Sequence, residues 1–479
     1  MVGHSRPLRS QILVFAAAAL YLGWGVGSLP LASGYTDPVR KVRPQDEALY
    51  SSISIGMAER GEWLTPRFLG RLALVKPIGA FLPTALSVRV FGDNLWSLRL
   101  FAVLCGAGAV AALYRWQGLS AAFLLAANPL FFFLSRRNMT DVPVLCATLL
   151  ALYWWNRSEG RAAAALAWGV LTKSVAGLAP ALILYKHWPR IVLMAAALIA
   201  PWQVYQAIQH PVWYWNEHIL DEHLQWGLHT PENAAAESHA IFYSTRAWAW
   251  DPLLATLAPL ALLFCLYRKR YTEAAWLAVS IAVLFAFGYR NATYLLPVFA
   301  ATAAAAGPRI HWALAAGVLA LRLATAGISH APQDPVPPAA ALAAYKALDR
   351  HNCLMVDGVL DEFVATTMHL TRVQYLLPGD ARTLAPTNID FPRRRIIADA
   401  RTYHRVSLEP EESVLLLHDD SDLRHLIGNA PCDFLLPAHR RGQLTFPGPE
   451  VLVQKDGWIV IAPQPFDSGI EYFRTQPAK

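Results

Sequence analysis

The stretch ILVFAAAALYLGWGVGSLPLASGY, Ile12–Tyr35, contains no charged residue. A bilayer core about 30 Å thick requires roughly 20 consecutive apolar residues in a helix, and this stretch is long enough. The basic segment before it is short and no small-residue cleavage site follows it, so we predict a retained transmembrane helix rather than a removed signal peptide. The opening of the chain is therefore typical of a membrane protein.

The composition extends this prediction along the chain. Hydrophobic residues make up 55% of the 479 residues and charged residues 16%, whereas an average soluble domain has roughly 25% charged residues. Further apolar stretches bring the predicted number of spans to about eleven and predict an α-helical polytopic membrane protein. They are Leu95–Leu113, Leu119–Leu134, Val142–Trp155, Ala162–Leu171, Val175–Tyr185, Ile191–Ile208, Pro252–Tyr267, Ala274–Tyr289, Thr293–Gly307 and Trp312–Ile328.

Lysine and arginine in the short loops predict the orientation, because they collect on the cytoplasmic side. With the N-terminus inside, the alternate loops carry Arg115, Arg157, Arg161, Lys186, Arg190, Arg268, Lys269, Arg270 and Arg309. An odd number of spans then places everything after Ser329 outside. The formal charge of +7 is divided between the cytoplasmic rim and outer loops, and no basic module with interleaved aromatic residues indicates nucleic-acid binding.

A proline-rich segment divides the chain. SHAPQDPVPPAA, Ser329–Ala340, has no apolar period and is typical of a stiff linker. We predict a membrane domain over residues 1–330, a linker over 331–341 and a soluble α/β domain over 342–479.

The predicted soluble domain contains short apolar runs between helical patterns. The patterns lie near Leu360–Leu370 and Asp420–Ile427, and a hairpin is expected to turn at Asp456-Gly457. Cys353 and Cys432 also lie here, and the sequence leaves open whether they form a disulfide.

The first outer loop contains two helical patterns. DEALYSSISIGMAERGEWLTPRF, Asp46–Phe68, mixes apolar and polar positions as an interfacial helix does. Ile78–Phe91 is short and contains Arg89. We assign it to the outer surface, because counting it as a span would invert every later loop.

Titratable residues from distant parts of the sequence fall on this same predicted outer face. They are Asp46, Glu47, Lys76, Arg136, Arg137, Asp141, Lys173 and Arg290. Charges near hydrocarbon are costly unless they are paired or solvated, so a set that converges at one face predicts a functional site. The alternative is that each is an ordinary interfacial charge.

The motifs around these residues resemble a known family. The matching phrases are Asp46-Glu47, GEWLTPR (Gly61–Arg67), Lys76-Pro77, Arg99, Asp141, LTKS (Leu171–Ser174), EHLQ (Glu222–Gln225) and YLLP (Tyr294–Pro297). Together they cover roughly residues 10 to 330. In these phrases the chain is similar to the C-type lipid-dependent membrane glycosyltransferases, in the branch of the lipid A aminoarabinose transferase and the protein O-mannosyltransferases.

The resemblance implies a polyprenyl-phosphate-sugar donor and a lipid, glycan or protein acceptor. It implies transfer with inversion at the periplasmic face of a bacterial inner membrane. Asp46, with Glu47 beside it, is the candidate catalytic carboxylate that takes a proton from an attacking hydroxyl. A phosphate acceptor would already be ionised, and Asp46 would then orient it or balance charge.

The leaving phosphate needs cations near it, because negative charge develops there in the transition state. The candidate donor-phosphate residues are Lys76, Arg136, Arg137 and Arg290, and the candidate substrate-pocket residues are Tyr50, Asp141, His223, His239 and Tyr294.

Four positions depart from the family pattern. Val75 stands where the aminoarabinose branch has Glu, Leu49 and Trp226 replace arginines, and Ser174 replaces the glycine of LTKG. The sequence therefore leaves the sugar and the acceptor open.

A divalent metal ion is a candidate cofactor. The segment Trp215–His239 is rich in histidine and acidic residues but has none of the fixed zinc spacings. His218 and Glu222, at i and i+4, could bind a metal from one helix face or simply pair. Asp141 is either a ligand or a charge at a helix N-terminus.

Other protein classes fit the composition. Repeat-type transporters place interrupted polar segments at mid-membrane in corresponding halves, whereas the charges here lie at one face and no duplication is visible. A flippase of a lipid-linked sugar is the nearest alternative, because it also needs outer-face cations. A structural factor that binds a partner through its soluble domain is the third.

Overall fold

The structure is a computed structural model. It describes residues 8–28, 46–68, 71–183, 188–225, 238–286, 290–326, 339–348, 350, 354–357, 373–378, 397–399, 414–417, 420–429, 432–443 and 450–462. The chain divides into two compact units, Met1–Asp334 and Pro335–Lys479.

The first unit is built almost entirely from helices. Its α-helices are α1 Leu8–Gly23, α2 Asp46–Arg60, α3 Leu82–Phe91, α4 Leu95–Gln117, α5 Leu119–Ala127, α6 Pro129–Ser135, α7 Asp141–Trp154, α8 Glu159–Lys173, α9 Ala179–Ile183, α10 Trp188–Gln209, α11 His239–Trp250, α12 Pro252–Tyr267, α13 Tyr271–Ala286, α14 Leu296–Ala306 and α15 Trp312–Ala326. A π-helical segment, Tyr214–Gln225, follows α10 after a short helical turn. A two-stranded hairpin joins β1, Arg67–Phe68, to β2, Arg71–Leu72.

Every predicted apolar stretch contains helical residues in the structure, but some stretches are not single helices. The stretch Leu119–Leu134 breaks at Asn128, whose side chain accepts a hydrogen bond from the Phe131 amide at 2.8 Å. Pro129 then begins α6, where the missing amide hydrogen of proline costs nothing. The stretch from Val175 likewise begins as a 3₁₀ helix, Ser174–Leu178, before α9.

Four helical stretches in the described residues are long and apolar enough to cross a membrane. They are Leu8–Ser28, Leu95–Gln117, Glu159–Ile183 and Trp188–Gln209. Of the shorter apolar helices, Ile78–Phe91 and Asp141–Trp154 pack with them, and Pro252–Tyr267 packs against α13 and α14. The chain is thus a helical membrane protein, and the number of about eleven spans stays a prediction.

Helix α2 differs from the interfacial helix that its sequence predicts. Nearly every residue from Glu47 to Ala58 is buried, including Ser51, Ser52 and Ser54. Buried hydroxyls need hydrogen bonds, and here Ser54 Oγ donates to Tyr50 O at 2.8 Å. The helix therefore lies inside the helical unit, and its serines make contacts that an amphipathic helix at a water boundary would not need.

Small residues allow close helix contacts near the site. A Cβ on Gly79 would lie 2.7 Å from Leu171 O, so only glycine fits between the turn before α3 and the end of α8. A Cβ on Gly177 would lie 2.1 Å from Gly169 C. Because glycine has no Cβ, the chain can fold back along α8 at this point. Such contacts are typical of helices packed in a membrane.

The second unit contains a seven-stranded sheet. Its strands are β3 Leu354–Asp357, β4 Val373–Pro378, β5 Ile397–Asp399, β6 Val414–Leu417, β7 Asp433–Pro437, β8 Val451–Lys455 and β9 Trp458–Ile461, in the order β5-β6-β4-β3-β7-β9-β8. Strands β3 to β7 pair in parallel, and β9 pairs antiparallel with β7 and β8.

Two further helices belong to this unit, α16 at Ala339–Lys346 and α17 at Asp420–Asn429. The expected hairpin is present, with positive φ at both Asp456 and Gly457. Cys432 is disulfide-bonded. The expected helix near 360–370 lies outside the described residues.

Candidate active site

Glu47 lies at the centre of a buried arginine cluster. Arg99 Nε donates to Glu47 Oε1 at 2.6 Å and Arg99 Nη2 to Oε2 at 3.1 Å, while Arg137 Nη1 donates to Oε2 at 2.7 Å. The Asn138 amide donates to Oε1 at 3.2 Å. Glu47 and Arg99 are 0% exposed, and the Glu47 carboxylate holds α2, α4 and the α6–α7 turn together. The catalytic role of Glu47 stays a prediction.

The same cluster changes the assignment of the two adjacent arginines. Arg137 was expected to bind the donor phosphate, but its guanidinium is paired with Glu47 and stacks over Phe133, 4.5 Å from the ring centroid. Arg136 Nη2 donates to Trp24 O at 2.5 Å. Within the described residues, Arg136 Nε and Nη1 have no hydrogen-bond partner, so of the two it is the one with unused donors.

Asp46, the residue before Glu47, begins α2 and is partly exposed. Successive residues of a helix point about 100° apart, so burying Glu47 directs Asp46 away from the arginine cluster. Asp46 affects the pKa values of both Lys76 and Tyr50. It therefore lies within electrostatic reach of residues that are far away in the sequence.

Lys173 and Asp141 form an ion pair at the ends of two helices. Lys173 Nζ lies 2.7 Å from Asp141 Oδ1, which joins the last residue of α8 to the first residue of α7. The ammonium group also lies 5.4 Å from the ring centroid of Tyr294. Three segments that the sequence predicted to share one face thus meet at this point.

Lys76 faces the same group of residues. Burial and, after it, the nearby charge of Lys173 lower the pKa of Lys76 from 10.5 to about 7, although Asp46 and Asp141 act in the opposite direction. A bound phosphate would stabilise the ammonium form in the same way as these carboxylates. A bound anion would therefore keep Lys76 protonated and positively charged.

Tyr50 packs beside these charges. Its pKa is raised well above 10 by burial and then by Asp46, Asp141 and Tyr294, against a hydrogen bond to the Thr140 side chain. The phenol consequently stays protonated and can donate a hydrogen bond. Of the predicted site residues, the structure brings together Asp46, Tyr50, Lys76, Asp141 and Tyr294.

A second set of predicted residues is arranged around Tyr243. Burial raises the pKa of Tyr243 to about 12, although a hydrogen bond to the Asn291 backbone and the charge of Arg290 both lower it. The Arg290 guanidinium lies 5.8 Å from the Phe242 ring centroid. The His239 and Tyr243 rings lie 6.4 Å apart. Arg290 precedes the 3₁₀ turn Ala292–Leu295 that carries Tyr294, which links the two sets along the chain.

The described part of the chain contains no cluster of side chains that could bind the predicted metal ion. No group of three or more His, Cys, Asp or Glu residues occurs there. Asp141 is paired with Lys173, and His218 Nδ1 lies 2.9 Å from Leu74 O. The side chains of Glu222 and His223 lie outside what the structure describes.

The residues that hold the loop carrying Lys76 were not predicted from the sequence. Leu74 N donates to Glu217 Oε2 at 2.6 Å, and Leu64 O accepts hydrogen bonds from Trp202 Nε1 and Gln206 Nε2 at 3.0 and 2.6 Å. The acceptors and donors on the loop are backbone groups, which carry no signal in the sequence. The one available signal was the presence of polar side chains such as Gln206 and Glu217 in an otherwise apolar region.

With this geometry established, comparison with known proteins identifies similar chains. Residues 75–215 match the family model described as dolichyl-phosphate-mannose-protein mannosyltransferase. The matched segment begins beside Lys76 and includes Asp141 and Lys173. The resemblance predicted from the sequence motifs is confirmed.

Curated relatives carry a common description. An undecaprenyl phosphate-alpha-4-amino-4-deoxy-L-arabinose arabinosyl transferase from Aeromonas hydrophila is 27% identical over 302 residues, which cover 53% of this chain and 53% of the relative. One from Pseudomonas aeruginosa (strain PAO1) is 28% identical and covers 53% and 52%. The chain thus spans about half the length of the curated relatives it matches.

Solved structures show the same fold over nearly the whole chain. ArnT from Cupriavidus metallidurans bound to undecaprenyl phosphate has a TM-score of 0.64 at 17% identity, covering 97% of this chain and 100% of that one. The apo form has a TM-score of 0.63 at 16% identity, with 95% and 98% covered. At this level of identity the likeness concerns the fold alone.

Proposed function

We propose that the protein is an integral membrane glycosyltransferase that moves a sugar from a polyprenyl-phosphate donor to a lipid, glycan or protein acceptor, with inversion at the anomeric carbon. One observation carries the proposal. Asp46, Lys76, Asp141 and Lys173 come from four segments of the sequence. Lys173 Nζ pairs with Asp141 Oδ1 at 2.7 Å, and the charges of Lys173, Asp46 and Asp141 all act on the pKa of Lys76. Sugar transfer from a phosphate needs a carboxylate that can accept a proton and, close to it, a cation that can bind the phosphate.

The proposed reaction exchanges one bond at the anomeric carbon. An acceptor oxygen attacks that carbon from the face opposite the phosphate, and the bond between the carbon and the phosphate oxygen breaks with its electron pair going to the phosphate. Where the acceptor is a hydroxyl, Asp46 takes its proton. Where the acceptor is a phosphate, no proton needs removal and Asp46 instead balances charge or orients the sugar.

Lys76 is proposed to bind the phosphate of the donor and of the polyprenyl-phosphate product. Fixed cations are most effective where they face developing charge in a site with little water. Arg290 and Arg136 are the further candidates: the Arg290 guanidinium and the Nε and Nη1 atoms of Arg136 keep donors without partners within the described residues. Arg137 stays a predicted donor-phosphate residue, with its Nη1 atom paired to Glu47 Oε2 at 2.7 Å.

Tyr50, Asp141 and Tyr294 are proposed to line the sugar side of the site, because all three lie near Asp46 or Lys173. His239 is proposed to line the neighbouring region beside Tyr243. His223 stays a predicted residue of the substrate pocket. A divalent metal ion stays a predicted cofactor, which transfer assays with and without a chelator would test.

The proposed topology places the site at the periplasmic face of a bacterial inner membrane. About eleven spans, a cytoplasmic N-terminus and a periplasmic domain over residues 342–479 follow from the charge of the loops. The disulfide at Cys432 supports an oxidising compartment for the second unit. Residues 1–330 are proposed to form the transferase domain and 331–341 the linker.

The curated relatives support undecaprenyl phosphate as the carrier lipid, because their names specify it. Their names also specify aminoarabinose as the sugar. Val75, which replaces the acidic residue of that branch, leaves the sugar of this chain open.

Transfer of radiolabelled sugar from polyprenyl phosphate in membranes tests the proposal. We expect Asp46→Asn to reduce transfer to a hydroxyl acceptor by roughly 10²–10⁴-fold. Asp93→Asn, which changes an exposed carboxylate before α4, is the matched control and should retain transfer. A wild-type protein that moves the labelled lipid between leaflets without forming a new glycoside would be a flippase instead.

A further inference from the structure

Lys76 lies in a loop that has little regular structure of its own. The loop runs from Gly61, after α2, to Pro77, before the turn that leads into α3. Among its described residues, 61–68 and 71–77, the short hairpin of β1 and β2 is the only regular element. A lysine in such a loop is accurately placed only if the backbone beside it is held from outside. The helix α10 and the π-helical segment Tyr214–Gln225 provide those outside contacts.

Two consecutive side chains of the π-helical segment bind the two backbone groups of Leu74. Glu217 Oε2 accepts from Leu74 N at 2.6 Å, and His218 Nδ1 lies 2.9 Å from Leu74 O. Since a carbonyl oxygen only accepts, the Nδ1 atom of His218 carries the proton. Leu74 is 0% exposed, and Glu217 and His218 are 2% and 1% exposed, so water does not compete for these bonds.

The ring of His218 is itself held in place. It lies 5.5 Å from the Trp202 ring in an edge-on arrangement and 5.4 Å from the Tyr214 ring. The Tyr214 hydroxyl in turn donates to Gln203 Oε1 at 2.8 Å. The imidazole can therefore act as a rigid donor.

The same helical region holds the loop at a second point. Trp202 Nε1 and Gln206 Nε2 both donate to Leu64 O. Leu64 lies ten positions before Leu74, on the far side of the β1–β2 hairpin from Lys76. The contacts at Leu64 therefore anchor the loop in general, whereas the contacts at Leu74 hold the backbone two residues before Lys76.

We infer that Glu217 and His218 are positioning residues that set the location of the Lys76 ammonium for the donor phosphate. The inference rests on the proposed function, because it takes Lys76 as the phosphate-binding cation. π-Helical segments occur frequently at functional sites. Here the segment provides two side chains that fix the peptide units on either side of Leu74, two residues before Lys76.

Binding of undecaprenyl phosphate to the purified full-length protein in detergent tests this inference. We expect Glu217→Met to weaken binding by about tenfold or more, because a displacement near 1 Å can cost up to about 10²-fold at such a site. Glu217→Gln keeps an oxygen that accepts from Leu74 N, so its affinity should stay near that of the wild type. Equal losses in Met and Gln variants would overturn the inference, because they would show that the charge of Glu217 matters and not its hydrogen bond.

His218 provides an independent pair of variants. The side-chain amide of asparagine places an N–H group close to the position of Nδ1, so His218→Asn should preserve binding while His218→Leu weakens it. A kinetic measurement should show the loss in the KM for the donor more than in kcat at saturating donor. An unchanged affinity in both His218→Leu and Glu217→Met would also overturn the inference.

The contact at Leu64 gives a matched control. The variant Gln206→Leu removes a hydrogen bond to Leu64 O and leaves the Trp202 ring beside His218 unchanged, so it should lower thermal stability without a comparable loss of affinity. If it weakens binding as much as Glu217→Met at equal loss of stability, the contacts serve general folding and the inference fails. If Lys76→Ala itself binds normally, the proposed role of Lys76 fails, which is a separate result.

Discussion

Lys173 Nζ lies 2.7 Å from Asp141 Oδ1, and this ion pair joins the C-terminal end of α8 to the N-terminal end of α7. Both ends favour the charge they carry, because the helix dipole is positive at its N-terminus and negative at its C-terminus. Lys173 remains partly exposed, and its charge lowers the pKa of Lys76. The pair therefore both shapes the site and controls the protonation of the neighbouring lysine.

Donor binding should depend on pH through Lys76. Its pKa of about 7 in the free protein means that half of the molecules carry a neutral amine near pH 7. Only the ammonium form attracts phosphate strongly, and the donor phosphodiester keeps its charge over this range. Donor affinity should therefore fall by up to about tenfold per pH unit above pH 7, as binding measured from pH 6 to 9 would show.

Lys76→Arg is the control for this pH dependence. Arginine keeps its charge throughout the range, so the variant should bind donor with little change between pH 6 and 9. A slope that is the same in Lys76→Arg as in the wild type would assign the titration to another group.

The charges around Lys76 should move the midpoint of that titration in opposite directions. Lys173→Met removes a cation that lowers the pKa of Lys76, so the midpoint should move to higher pH. Asp46→Asn removes a carboxylate that raises it, so the midpoint should move to lower pH. Binding curves of the two variants over the same pH range test both signs, and shifts in the same direction would contradict this arrangement.

Removing Glu47 should unfold the site rather than merely inactivate it. Glu47→Ala would leave Arg99 and Arg137 buried without their shared carboxylate, and breaking a buried ion pair in this way typically costs about 3–5 kcal/mol. We expect a large fall in the thermal unfolding temperature in detergent, together with poor expression.

Asp46→Asn is the comparison for Glu47→Ala, because the two residues are adjacent and Glu47 is the carboxylate that accepts from Arg99 and Arg137. Asp46→Asn should unfold at nearly the wild-type temperature while losing transfer. A Glu47→Ala protein with wild-type stability would show that the cluster contributes little to folding.

The distribution of helices could be predicted because apolar stretches of membrane length are a strong signal. Their interruptions were harder to see. The break at Asn128 depends on its side chain capping α6 and donating to Asp251 Oδ2 at 2.9 Å, a contact with a residue that follows more than a hundred positions later. Local sequence alone does not contain that partner.

The site shows the same limit. The sequence predicted Asp46 as the base with Glu47 beside it, but it could not show that Glu47 pairs with Arg99 and Arg137, because those contacts depend on the positions of the arginines in the fold. The grouping of Asp46, Lys76 and Asp141 was predictable, since all three fell on one side of the predicted spans. The contacts to Leu74 were not, because they involve its backbone.

Replacing Ser174 with glycine should stabilise the protein. It follows Lys173 at φ 51°, ψ −130°, a region that costs a residue with a side chain about 1–3 kcal/mol, whereas glycine loses roughly 0.5–1 kcal/mol through its greater freedom when unfolded. Within the described residues the buried Ser174 hydroxyl has no hydrogen-bond partner, so Ser174→Gly should raise stability by on the order of 0.5 kcal/mol. Ser174→Ala keeps the Cβ and the strain, so thermal unfolding in detergent should show no comparable gain; an equal gain in both variants would identify the buried hydroxyl as the cause instead of the backbone.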